Sequence, residues 1–178
     1  MLVVQALAGH TSTPGRGGAG TPSRVDQPGE TFASWSALKF SAAQLANPAI
    51  SGKLADPDGD GLTNLLEYAL NGNPLAAASA PWPQSAFEDV PGEDVQRHSL
   101  TFARRTQALD LTYIVQRSAD GTTWQDGATL SPTGITNTPE IIQLVGASGS
   151  PVESRVVRDG ASVVPGEQSW LRLKVTSP

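Results

Sequence analysis

The stretch ADPDGDGLTNLLEYALNGNP, Ala55 to Pro74, carries the most demanding residue spacing in the chain. Counted from Asp56, aspartates stand at positions one, three and five (Asp56, Asp58, Asp60), glycine at six (Gly61), asparagine at nine (Asn64) and glutamate at twelve (Glu67). Alternate side chains of a loop converge on one point only if the chain bends sharply, and Gly61 supplies a residue that adopts the required angles without strain. The spacing then predicts a helix. Leu62, Leu65, Leu66, Ala69 and Leu70 form an apolar stripe with Asn64 and Glu67 off it, toward the loop. Gly72 suits the helix C-terminus, and Pro74 forbids continuation.

This pattern fits a hard cation. Calcium takes six to eight oxygens at about 2.3 to 2.6 Å, and a twelve-position loop delivers them from alternate side chains, one carbonyl and a glutamate reaching back from the helix. The candidate metal ligands are the side chains of Asp56, Asp58, Asp60, Asn64 and Glu67 and the carbonyl of Leu62, with Ca2+ as the expected ion. Magnesium fits less well, because it prefers a rigid octahedral site with retained water. The plainer reading, a solvated acidic turn, leaves the shared register of ligands and stripe unexplained.

Upstream, Met1 to Ala8 (MLVVQALA) is a short apolar run ending in Ala-Leu-Ala, which reads either as the tail of a signal sequence or as a linker remnant. Gly9 to Glu30 has almost no apolar side chains and is expected to be disordered. Phe32, Trp35 and Leu38 then recur at helical spacing behind Thr31. Ser41 and Gln44 form a capping box for a second short helix, which Asn47-Pro48 should stop. Ala49 to Ala55 shows no helix signal.

Downstream, Leu75 to Ala86 reads as a linker, with Trp82 between two prolines and expected to pack on the neighbouring domain. The remainder alternates as strands do. His98, Leu100 and Phe102 share one face, as do Leu111, Tyr113 and Val115, and as do Leu171, Leu173 and Val175. Glu140 to Val145 and Glu153 to Arg158 are further candidates, and Asp120-Gly121 marks a hairpin turn between Val115 and Trp124. Five to eight short antiparallel strands are expected in all. His98 reads as a satisfied residue at the edge of the core.

Composition narrows the function. A net charge of −5 offers no basic footprint for nucleic acid, and no run approaches the roughly 20 apolar residues of a membrane span. The absence of cysteine excludes disulfides and thiolate metal sites. No serine elbow, phosphate loop or H-E-x-x-H motif occurs, and the only histidines are His10 and His98, so no enzymatic activity is expected.

The loop and its helix resemble the dockerin and EF-hand type of calcium loop found in secreted bacterial proteins. The wider run, from Phe32 and Trp35 through ADPDGDGLTNLLEYAL to the terminal WLRLKV, is similar to modules at the C-termini of large exported proteins of environmental bacteria. A dockerin carries two such repeats and a regular EF-hand a long incoming helix. One repeat with a broken lead-in argues against a cohesin partner and against a paired-hand sensor. SADGTTW, Ser118 to Trp124, also resembles the Asp-box turn of sialidase-like propellers and the DG-x-x-W hairpin of discoidin-like sandwiches.

The expected architecture is α+β and mainly β. Residues 1–30 are a disordered linker or signal remnant, 31–74 a short helical calcium-loop unit, 75–86 a linker and 87–178 a small antiparallel β-sandwich. The resemblance implies a calcium-binding, non-catalytic accessory or structural module of a secreted or cell-surface bacterial protein, with a polysaccharide or cell-surface component as candidate partner. The alternative is a carbohydrate-binding module appended to a glycoside hydrolase or adhesin, with Trp124 or Trp170 stacking on the sugar.

Overall fold

The computed structural model describes residues 29–77, 82–139, 142–148, 151–164 and 167–178. Among these residues four helices come first: α1 Phe32–Lys39, α2 Ala42–Leu45, α3 Pro48–Ser51 and α4 Asn64–Leu70. Eight strands follow: β1 Gln84–Asp89, β2 Gln96–Arg105, β3 Thr112–Ser118, β4 Gln125–Ser131, β5 Gly134–Asn137, β6 Ile142–Ser148, β7 Val152–Asp159 and β8 Trp170–Thr176. They form two antiparallel sheets, ordered β1-β2-β7-β6 and β5-β4-β3-β8, so the chain is mostly β.

The helical segment follows its caps. Thr31 accepts the N–H of Ser34 at the start of α1, and Ser41 and Gln44 exchange the hydrogen bonds of the expected box, Ser41 N to Gln44 Oε1 at 2.8 Å. Two expectations need correction. Pro48 ends α2 but also occupies the first position of α3, where its missing N–H costs nothing and the Asn47 side chain accepts from Ala49 N. Leu38 is 65% exposed, because the buried face of α1 is Phe32, Trp35 and Ser36. Residues 1–28, with the apolar run and most of the expected linker, lie outside the described residues. Glu30 is within the fold: its backbone bonds to Gln107 and Leu109, and its carboxylate pairs with Arg105 at 2.8 Å.

The strongly alternating runs all become strands. Among the described residues three strands carry no alternation signal of their own: β1, which begins at Gln84 inside the span expected as linker, β4, whose hairpin turn alone is marked, and β5. QSAFED of β1 is an almost wholly exposed edge strand and so lacks an apolar face to read. The Asp120-Gly121 hairpin forms as expected between β3 and β4; Gly121 has φ 71°, and Asp120 Oδ1 accepts the N–H groups of Thr122 and Thr123. A bulge between Val115 and Gln116 lets two successive β3 residues be buried.

One apolar cluster joins all the layers. Leu100, Phe102, Tyr113, Val115, Ala128, Leu130, Ile142 and Val157 come from the strands, and Phe32, Trp35, Tyr68, Ala69 and Leu70 from α1 and α4. At roughly 1.5 to 3 kcal/mol for each large side chain fully buried, this shared cluster is the principal force docking the helices on the sheets. The sheets also meet closely where a β-carbon built on Gly127 would fall 1.8 Å from Ile142 Cγ1. No helix among the described residues is long and apolar enough to cross a membrane.

Candidate metal centre

The acidic loop folds around its first aspartate. Asp56 accepts Gly59 N–H at 2.9 Å through Oδ1 and Gly61 N–H at 3.0 Å through Oδ2. Asp58 Oδ1 accepts Asp60 N–H at 3.4 Å, and Asp60 Oδ1 accepts Leu62 N–H at 2.9 Å. Gly61 at φ 91° makes this curvature possible, as its position in the sequence implies. The result gathers three carboxylates: Asp56, Asp58 and Asp60 each offer an oxygen within 4.8 Å of the others, a group able to hold a metal ion. A carboxylate oxygen has more than one lone pair, so a bond from the backbone leaves capacity for a cation.

The remaining candidates sit on the helix side. Leu62 is 1% exposed, anchoring the loop exit in the core. Asn64 and Glu67 are both fully buried on α4, and Glu67 lies outside the mutually close aspartate group. The Asn64 amide donates through Nδ2 to the carbonyls of Ile50 and Gly52, at 2.7 and 2.8 Å. That fixes the amide orientation, since an oxygen cannot face two carbonyls. Two buried oxygens at this site, Asn64 Oδ1 and Asp58 Oδ2, make no hydrogen bond. Buried acceptors without partners are costly, and an oxygen-seeking cation is one kind of partner that would satisfy them.

The far end of α4 is fastened by residues the sequence does not single out. Tyr68 packs against Trp35 and Phe32, with ring centres 5.4 and 5.9 Å away, and its hydroxyl donates to Asp110. Burial, reinforced by the Asp110 and Glu30 carboxylates, pushes the Tyr68 phenol far above its ordinary range. Arg105 donates to the Tyr68 carbonyl, the Glu30 carboxylate and Asn71 Oδ1, and its guanidinium lies 5.3 Å from the Tyr68 ring centre. Tyr113 donates to the Ala69 carbonyl at 2.9 Å; burial raises its phenol to about 12. Asn71 closes the helix in the left-handed conformation at φ 65°.

The other aromatic and histidine candidates are engaged elsewhere. The Arg172 guanidinium stands 4.0 Å from the ring centre of Trp124, and the Trp170 ring lies against the Gly121 turn, 3.7 Å from where a β-carbon would be. Trp82 is half exposed, lining with Leu62, Leu66, Leu70 and Leu171 a cleft of about 320 Å³ between α4 and the strands. His98 is buried, stacked on Phe87 at 4.5 Å, with Nδ1 3.4 Å from Ser169 Oγ. Burial holds its imidazole below the ordinary histidine range, partly countered by the Asp159 carboxylate.

Comparison with known families and curated proteins adds no identification: no family model matches this chain, and neither does any curated protein.

Proposed function

We propose that the chain is a calcium-binding, non-catalytic accessory module of a secreted or cell-surface bacterial protein, in which a single EF-hand-like loop and its helix are clamped onto an antiparallel β-sandwich. The observation that supports this reading is the convergence of Asp56, Asp58 and Asp60 to within 4.8 Å, with Asp58 Oδ2 in that group and Asn64 Oδ1 on α4 both buried and without a hydrogen bond. These groups are all oxygen donors. Oxygen-only sites with several carboxylates select hard cations, and a mixed set of carboxylate, carboxamide and carbonyl suits the variable coordination of calcium better than the strict octahedron of magnesium.

Asp56, Asp58 and Asp60 would hold the ion with Asn64 and the Leu62 carbonyl, and Glu67 would join from α4. The ion supplies charge neutralisation and a cross-link between loop and helix. A lone loop without a paired hand belongs in the extracellular affinity range, with a dissociation constant on the order of 0.1 mM. At about 1 mM free calcium, such binding stabilises the native state by roughly 1.4 kcal/mol. That favours a structural clamp outside the cell over a cytosolic switch. We read the contact between His98 and Ser169, both buried, as a core interaction.

Calorimetric titration with calcium chloride tests the reading. One ion per chain is expected, with the heat abolished in the Asp60→Ala, Glu67→Ala double variant. Absence of binding heat in the native chain refutes it.

A further inference from the structure

We propose that Asn64 couples the cation to the segment ahead of the loop: its amide nitrogen clasps the carbonyls of Ile50 and Gly52 while its amide oxygen serves the ion. This rests on the calcium reading above and adds a mechanical role that the ligand pattern does not contain.

The clasp is built from four hydrogen bonds. Asn64 Nδ2 reaches Ile50 O at 2.7 Å and Gly52 O at 2.8 Å, Asn64 N reaches Ala55 O at 2.8 Å, and Leu65 N reaches Lys53 O at 3.0 Å. The first turn of α4 is thereby stitched to residues 50–55, which lead into the loop. Both N–H groups of the amide are used, the residue has no exposed surface, and Oδ1 is buried without a hydrogen bond.

Only asparagine or a close amide can do this. An aspartate at position 64 would bring more charge to a cation, yet it would set a carboxylate against two carbonyl oxygens and leave both without donors. The residue type at position nine is thus set by what lies behind the ion as much as by the ion. The clasp takes the place of the long incoming helix of a regular EF-hand. Here α3 has four residues, Pro48–Ser51, and cannot order itself. The two carbonyls set the amide plane, and a cation at Oδ1 would hold that plane, and with it α3 and the lead-in, more firmly.

The test uses the full chain, with calcium titration calorimetry on the native protein and on Asn64→Asp, and nitrogen-15 spectra of the Asn64 side-chain amide in the native protein. Asn64→Asp is expected to bind calcium about tenfold more weakly or worse, despite its added carboxylate, a loss of about 1.4 kcal/mol or more. The native side-chain amide protons are expected to exchange slowly and to shift on adding calcium, which a purely structural asparagine remote from the ion would not show. Equal or tighter binding by Asn64→Asp overturns the coupling and leaves the calcium reading standing. No binding heat in the native chain removes the calcium reading and the coupling together. Where Asn64→Asp does not fold, the native spectra decide: amide protons that exchange at the solvent rate, or that calcium does not move, overturn the proposal.

Discussion

Tyr68 of α4 donates its hydroxyl to Asp110 Oδ1 at 3.2 Å, across 42 residues, while Oδ2 of the same carboxylate accepts the N–H of Phe32 at 2.8 Å. One side chain in the β2–β3 connection therefore holds both α1 and α4. Together with the shared apolar cluster, this packs the helices against the sheets, and the two are expected to unfold together.

Asp110→Ala strands two partly buried donors at once. A loss of about 2 to 3 kcal/mol is expected. Urea unfolding followed in parallel by tryptophan fluorescence and far-ultraviolet circular dichroism measures it, and in the native protein the two signals should coincide in one transition. Separate transitions for helix and sheet would show that Asp110 does not unite them.

Acid should weaken the fold through His98. Its folded pKa lies below the 6.5 of the unfolded chain, chiefly because of burial, so the unfolded state binds more protons as pH falls. The stability due to neutral His98 is complete above about pH 6.5 and is lost as pH drops toward the folded pKa. The groups around the ring are Phe87 on β1, Ser169 before β8 and the Asp159 carboxylate on β7, itself paired with Arg117. Denaturant curves between pH 7.5 and 5 should show this slope in the native protein and a shallower one in His98→Gln. An equal slope in both would assign the acid sensitivity elsewhere.

Gly127 sits where β4 meets Ile142 of β6. Gly127→Ala places a methyl at 1.8 Å from Ile142 Cγ1, a clash that must displace a fully buried side chain. A destabilisation of about 1 to 3 kcal/mol is expected. Combining it with Ile142→Ala should recover part of the loss. If the two costs simply add, the close approach of the sheets is not what the glycine serves.

What the sequence made legible had a period or a fixed spacing. The aspartates gather as the one-three-five pattern requires, the Ser41–Gln44 box closes, and the alternating faces of β2, β3 and β8 line the core. Tyr68 was hidden because α4 buries two faces: Asn64 and Glu67, polar residues set off from the leucine stripe, share a buried side with Tyr68. Asp110 and Arg105 carry no local signal, since their partners lie 78 and 75 residues away at Phe32 and Glu30. β1 escaped notice because an exposed edge strand needs no apolar alternation. The clasp of Asn64 was illegible for a related reason. Its partners are backbone carbonyls, which any sequence offers.

If calcium clamps the loop to α4, thermal unfolding of the full chain in 1 mM calcium chloride against excess chelator measures it directly. A stabilisation of roughly 1.4 kcal/mol corresponds to a rise in Tm of about 3 to 5 °C for a chain of this size, in a single transition. The rise should vanish in the Asp60→Ala, Glu67→Ala variant. An identical Tm with and without calcium in the native protein, or an equal rise in the variant, would show that the loop is not a calcium clamp.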